Sequence, residues 1–179
     1  MESLILSCVA IAIFIAYNVV AMILFGMPAS LSNTYYYLNN RWPGSGWAFT
    51  ILMWIVCGLL FYPMIHVTNG ISEWSHYLGF LPFLMLSCLI FVGTAPNFRT
   101  EKGIEAVHMW CAKLSAVFAI LWICIPCWKI MYILPICIGL CWLIAWLTKT
   151  MKTGRDWWWE MCAFSATFVT LIVECCLQL

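Results

Sequence analysis

Six long apolar stretches alternate with short polar segments along the chain. They cover residues 4–25, 47–65, 75–92, 104–125, 128–147 and 157–177, and each is close to the roughly 20 residues that an α-helix needs to cross a bilayer. None shows the strict alternation of apolar and polar residues that a membrane β-barrel requires. The pattern therefore predicts an all-α fold, a bundle of six transmembrane helices that forms one domain over residues 1–179.

Local signals refine the limits of these helices. Asn69-Gly70 is a strong turn sequence and predicts the loop after the second helix. Ser72 is the predicted N-cap of the third helix, because its hydroxyl can accept a hydrogen bond from the first turn. Pro82 and Pro135 lie within the third and fifth apolar stretches, where proline predicts a kink.

Composition excludes several classes of protein. Of the 179 residues, 65% are hydrophobic and 8% are charged, whereas an ordinary soluble domain has about 25% charged residues. The net charge of +1 offers no basic surface to bind phosphates, so no nucleic-acid partner is expected. The 11 cysteines lie mostly within apolar stretches, which argues against a disulfide-stapled secreted domain. The first stretch follows Glu2 without a basic residue or a later cleavage site, which predicts a membrane helix and not a signal peptide.

The distribution of Lys and Arg predicts the orientation in the membrane. The first, third and fifth loops carry six basic residues, namely Arg41, Arg99, Lys102, Lys149, Lys152 and Arg155. The opposite side has only Lys129, with Lys113 left out because it lies inside the fourth helix. Cytoplasmic loops are enriched in basic residues. We therefore expect a bacterial-type plasma-membrane protein with both termini outside the cytoplasm.

Ionisable side chains within the predicted helices are candidate functional groups, because burying them in a bilayer is costly. Glu160, Thr167 and Glu174 follow one another at seven-residue spacing and share one face of the sixth helix. This face either forms hydrogen bonds across the bundle or contributes to a site. Lys113 has three interpretations: it extends to the interface, it pairs with a carboxylate such as Glu160, or it contacts a ligand.

The third loop and the start of the fourth helix suggest possible acid–base chemistry. Glu105 and His108 are one helical turn apart, so the carboxylate can orient the imidazole as in a general base. Alternatively, a loop carbonyl satisfies the histidine. The first loop is rich in hydroxyl groups, including those of Ser32 and Tyr36, and is expected to fold against the His108 loop.

Short motifs in these two loops resemble those of small six-span bacterial membrane proteins of unknown function. The residues are Ser32, Tyr36, Gly46, Trp47, Gly93, Pro96, Phe98, Val107, His108 and Ala112. The layout is also distantly similar to that of the DRAM/Sfk-type eukaryotic membrane proteins. That resemblance implies a role connected with membrane lipids or trafficking, without a defined reaction.

A second cluster is predicted on the opposite, outer side. His66 ends the second helix, while Glu73 and His76 are three residues apart at the start of the third helix. Cys124 and Cys127 form a Cys-x-x-Cys pair, a spacing that supports a reversible disulfide or a soft-metal site. In a chain with this many cysteines, the same spacing can also occur by chance, and the two cysteines are then ordinary apolar packing residues.

These observations favour a non-enzymatic protein that binds a lipid or another amphipathic ligand near its cytoplasmic face. Arg41, Arg99, Lys102, His108, Ser32 and Tyr36 are the predicted ligand-binding residues, because basic side chains at that depth attract anionic head groups. The alternatives are a membrane thiol oxidoreductase or metal-binding protein that uses the Cys-x-x-Cys pair, an intramembrane hydrolase that uses His108, and a protein that binds another membrane protein. No cofactor is predicted.

Overall fold

A computed structural model of the chain describes residues 1–96, 99 and 102–179. This part of the chain contains seven α-helices and no β-strand. The helices are α1 (Glu2–Phe25), α2 (Thr34–Arg41), α3 (Trp47–Ile71), α4 (Phe80–Thr94), α5 (Lys102–Cys124), α6 (Ile133–Leu147) and α7 (Arg155–Leu177). Short 3₁₀ turns, Ser75–Leu78 and Trp128–Ile130, precede α4 and α6. Six helical segments are long and apolar enough to cross a membrane, so the all-α prediction is confirmed and a multi-pass membrane protein is indicated.

The turn predicted at Asn69-Gly70 is wrong, because α3 continues through these residues to Ile71. The side-chain amide of Gln178 supports this extra helical length by donating a hydrogen bond of 2.9 Å to the carbonyl of Val67. Ser72 is likewise not an N-cap but the residue that ends α3 in an extended conformation. The Ser75 hydroxyl closes the end of α3: it donates to the carbonyl of Thr68 at 2.6 Å and accepts the backbone N–H of Ser72 at 2.9 Å.

The prolines also differ from expectation. Pro82 and Pro135 are each the third residue of their α-helices, α4 and α6. An N–H in the first turn has no partner within the helix, so proline is tolerated there without a kink. The third and fifth spans are therefore divided into a 3₁₀ turn and a helix that starts just before the proline. The proline that lies in a helix interior is Pro63, within α3.

The first loop is ordered and contains the short helix α2, which the apolar pattern does not predict. Its first residue, Thr34, is fully buried and its hydroxyl lies 2.6 Å from the Tyr17 hydroxyl of α1. The loop also contacts the start of α7, where the backbone N–H of Trp157 donates to the Ala29 carbonyl at 3.0 Å. These contacts hold the loop against the bundle.

Two ends of the bundle can be distinguished. The first, third and fifth loops lie at one end, which we call the basic end because it carries the six Lys and Arg residues named above. Both chain termini lie at the other end, the terminal end. Helix α3 packs between α1 and α4, and α5 packs along α4. Helix α6 packs mainly on α7, whereas α5 and α7 make few contacts with each other.

Candidate functional site

The predicted contact between the first and third loops is present at the basic end. The backbone N–H of Arg99 donates to the Tyr36 hydroxyl at 2.7 Å, and its guanidinium lies 4.8 Å from the centre of the Tyr36 ring. The same guanidinium donates to the Asn33 side-chain oxygen. Arg99 and Tyr36 thus lie together, as predicted, and join the two loops.

The other predicted basic residues lie on separate elements. Arg41 ends α2, is exposed, and stacks 4.9 Å from the ring centre of its neighbour Trp42. Lys102 begins α5 and is also exposed. Ser32 is buried, with its hydroxyl 3.2 Å from that of Ser30. The cationic surface is therefore divided among several elements.

A loop carbonyl holds the His108 ring. The Nδ1 atom lies 3.0 Å from the carbonyl oxygen of Ala95, and the side chain is buried. A carbonyl can only accept a hydrogen bond, so Nδ1 carries the proton in this contact. Glu105, one turn earlier on α5, is exposed. This arrangement favours the interpretation in which a loop carbonyl satisfies the histidine, and the hydrolase role stays a prediction.

The outer cluster does not assemble into a metal site within the described chain. His76 Nδ1 contacts the backbone carbonyl of Glu73 and not its carboxylate, while His66 stacks on Tyr62 with 5.4 Å between ring centres. In the described ranges, no group of three or more His, Cys, Asp or Glu side chains is placed to hold a metal ion. Cys124 is an exposed free thiol and Cys127 a buried one.

The environment of Cys127 predicts low reactivity. Burial, and to a smaller extent the negative charge of Glu174, raises the pKa of the Cys127 thiol. The thiolate is the reactive form, and each unit of pKa rise lowers its fraction tenfold. We expect iodoacetamide to alkylate Cys127 at least about tenfold more slowly than Cys124, as measured by fragment-ion mass spectrometry of the native chain over time.

The control for this measurement is the same protein unfolded in SDS, in which both cysteines are expected to react at similar rates. Equal rates in the folded protein would contradict the burial of Cys127. A disulfide between Cys124 and Cys127, isolated without added oxidant, would support the thiol oxidoreductase alternative.

A cavity of about 490 Å³ lies between α3, α4, α5 and α7. Along α3 it extends from Phe49 to Leu60, which is about 16 Å of helix at 1.5 Å per residue. Its wall is mostly apolar and includes Phe49, Met53, Val56, Met85, Leu86 and Phe168. The cavity reaches the surface between α5 and α7, where Met109 and Trp159 line it and are 44% and 53% exposed.

Polar groups deep in the cavity are already paired. The Thr167 hydroxyl donates to the Ala163 carbonyl at 2.9 Å, and the Ser115 hydroxyl donates to the Ala112 carbonyl at 2.8 Å. Each of these bonds stays within one helix. The inner part of the cavity thus offers a ligand mainly apolar contact.

Charged groups line the cavity nearer the basic end. Glu160 on α7 accepts a hydrogen bond from the Leu31 N–H, with Oε2 at 2.5 Å from the nitrogen. Lys113 on α5 extends over Trp110, with Nζ 5.3 Å from the ring centre. Among the described residues, no carboxylate lies within ion-pair distance of Lys113. The ion pair with Glu160, one of its three interpretations, is therefore not formed in this structure.

Sequence reasoning missed this cavity, although small residues on the facing helices carry a signal for it. Ala112, Ala116 and Ala119 follow a helical spacing on α5, and Ala163 lies on α7 opposite them. Small side chains on both helices leave space wherever the backbones do not approach closely.

Of the predicted ligand-binding residues, Ser32 lines the cavity. Phe98, which contributes to the motif resemblance, lies outside the described residues. Comparison of the chain with protein-family models, curated proteins and solved structures gave no match.

Proposed function

We propose that this protein binds one amphipathic lipid molecule in the cavity that opens between α5 and α7. The single observation that carries this proposal is the shape and chemistry of that cavity, which is apolar along its depth and charged at its mouth. Its volume of about 490 Å³ lies within the range of small-molecule sites, roughly 300–1,000 Å³. Its extent along α3 is close to half of the roughly 30 Å hydrocarbon core, the depth of one leaflet.

A lipid is favoured over a water-soluble ligand because of where the cavity opens. Met109 and Trp159 flank an opening between two membrane-spanning helices, so an acyl chain can enter sideways from the bilayer. Lys113 and Glu160 then lie at the depth where a head group meets the hydrocarbon. A soluble ligand would have to displace the first loop, which Glu160 holds through the Leu31 N–H.

The residues that contact the lipid head group are then those at the cavity mouth, and not the loop cations that the sequence predicted. Arg99 is engaged with Tyr36 and Asn33, so its guanidinium helps to hold the two loops together. Arg41 and Lys102 remain exposed at the basic end, where they favour anionic lipid near the membrane surface. Ser32 was predicted from the sequence to contact the ligand, and it also lines the cavity.

We place the protein in a bacterial inner membrane with the basic end in the cytoplasm and both termini outside. The excess of six basic residues over one supports this orientation. Membrane lipids are the proposed partners, and no enzymatic step is assigned. A second membrane protein as a partner stays a prediction from the sequence.

Filling the cavity tests the proposal. Ala116 lines the cavity on α5, so Ala116→Phe places a ring in the space that the acyl chain would occupy. We expect bound lipid to fall by about tenfold or more, which corresponds to a loss of roughly 1.4 kcal/mol of binding free energy. The measurement is native mass spectrometry of protein purified in mild detergent, which counts lipids bound per chain.

Val117→Phe is the matched control, because Val117 is the next residue on α5, is 49% exposed and does not line the cavity. This variant is expected to retain lipid as the original chain does. If Ala116→Phe retains the same lipid occupancy while both variants remain folded, the cavity is not the binding site.

A further inference from the structure

The mouth of the cavity carries both signs of charge on opposite walls. Lys113 lies on α5, whereas Asp156 and Glu160 lie on α7. Arg155 is beside this group, with its Nε atom 3.5 Å from an Asp156 carboxylate oxygen. The four groups together have no net charge. An anionic head group would therefore meet two carboxylates as well as two cations and gain no net attraction, whereas a dipolar head group can place each of its charges near the opposite sign.

The positions of these charges also limit the shape of the head group that can bind. Lys113 provides a cation on the α5 side of the opening, and Asp156 and Glu160 provide carboxylates on the α7 side. A head group with an anionic and a cationic part can lie across the opening, with each part near the opposite charge. A phosphodiester linked to an ammonium group has this dipolar form.

Glu160 distinguishes between kinds of ammonium group. One carboxylate oxygen, Oε2, accepts the Leu31 N–H, and within the described part of the chain no group donates to Oε1. A carboxylate accepts several hydrogen bonds, and a primary ammonium has three N–H donors. A quaternary ammonium has no N–H, so it cannot satisfy that oxygen. Charge-assisted hydrogen bonds of this kind are short and strong.

We infer that the bound lipid is a zwitterionic phospholipid with a primary ammonium in its head group, of the phosphoethanolamine type. The phosphate lies beside Lys113, the ammonium donates to Glu160 and faces Asp156, and an acyl chain fills the apolar cavity. This inference rests on the proposed function, because it names the chemical class of lipid that the same cavity takes.

The test compares three synthetic lipids with identical acyl chains: phosphatidylethanolamine, phosphatidylcholine and phosphatidylglycerol. Each is added to delipidated protein in detergent, and binding is measured by native mass spectrometry. Phosphatidylethanolamine is expected to bind about tenfold more tightly than either of the others, because one hydrogen bond to a charged group has that effect.

Glu160→Gln identifies the origin of the preference. Its amide oxygen can still accept the Leu31 N–H, but the remaining position becomes an NH₂ donor that repels an ammonium. We expect this variant to bind the ethanolamine and choline lipids within about twofold of each other. Glu2→Gln changes an exposed carboxylate at the terminal end and should keep the original preference.

The outcomes separate the two proposals. Equal binding of all three lipids, or preference for phosphatidylglycerol or phosphatidylcholine, overturns the head-group inference and leaves the lipid-binding proposal standing. A preference for phosphatidylethanolamine that persists in Glu160→Gln overturns the role of Glu160. If none of the three lipids binds to the folded protein, both proposals fail.

Discussion

Replacement of Trp122 by alanine is expected to lower the free energy of unfolding by about 3–5 kcal/mol, the typical cost of removing a buried Trp or Phe. Trp122 lies on α5 and is fully buried, and its indole N–H donates to the Thr68 hydroxyl of α3 at 2.8 Å. The Thr68 hydroxyl in turn donates to the Met64 carbonyl at 2.6 Å. The substitution would therefore leave a void and remove a hydrogen bond between two helices.

The measurement is equilibrium unfolding in mixed detergent micelles, followed by Trp fluorescence or circular dichroism. Trp146→Ala is the matched control, because Trp146 on α6 is 65% exposed. Its side chain therefore has a similar environment in the folded bundle and in the unfolded state, in which the helices are separated. It should change stability by less than about 0.5 kcal/mol, as is usual for exposed positions. Trp122→Phe isolates the hydrogen bond, and we expect a loss of about 0.6–1.7 kcal/mol. Equal effects of Trp122→Ala and Trp146→Ala would contradict the burial of Trp122.

Gly93→Ala is expected to have the second largest effect, a loss of about 1–3 kcal/mol of unfolding free energy, because a methyl group there overpacks a helix contact. A Cβ atom at Gly93 would lie 2.7 Å from Met53 Cβ. That atom is attached directly to the α3 backbone and cannot move aside easily. The Gly93 carbonyl also accepts the Thr50 hydroxyl at 2.8 Å, so separating α3 from α4 would weaken this bond too.

Gly58→Ala provides the control within the same helix pair. No atom lies within 4 Å of a Cβ built at Gly58, which is in the middle of α3. Alanine favours the helix over glycine, so we expect Gly58→Ala to be neutral or to stabilise by up to about 1 kcal/mol. The same unfolding measurement applies to both variants. A neutral Gly93→Ala would show that α3 and α4 do not approach as closely as described.

Most of the fold is predictable from the sequence, because the length of an apolar stretch is dictated by the membrane. The predicted fifth helix, 128–147, has the same limits as the observed span, and the others differ at their ends by a few residues. The second helix is the exception, and it runs six residues further, to Ile71. The turn signal at Asn69-Gly70 is local, whereas Gln178 stabilises the helical alternative from the other end of the chain.

The candidate site was harder to predict, since it depends on where two helices diverge. Glu160 and Lys113 were identified from the sequence as costly charges, and both line the cavity. Their position beside a cavity was not predictable, because no sequence periodicity shows that α5 and α7 make few contacts with each other. Helix α2 was missed for a related reason. Its polar sequence resembles a loop, and it is fixed by contacts such as that between Tyr17 and Thr34, which lie on different elements.

Helix α6 contributes no residue to the lining of the cavity. Helix α6 packs on α7, and Leu140 and Leu143 on its outer face are each at least 50% exposed. Met109 and Trp159 at the opening between α5 and α7 are exposed, so within the described chain no helix covers it. An acyl chain at that opening would pack against the apolar side chains of α5 and α7. It would take the place that a neighbouring helix has elsewhere in the bundle.

The most direct test of the central claim is an experimental structure of the protein in lipid nanodiscs that contain phosphatidylethanolamine. We expect elongated density between α5 and α7, with its polar end between Lys113 and Glu160 and its tail beside Met53 and Phe168. A cavity filled by rearranged side chains, or density confined to the outer surface of the helices, would contradict the claim that this protein holds a lipid within its bundle.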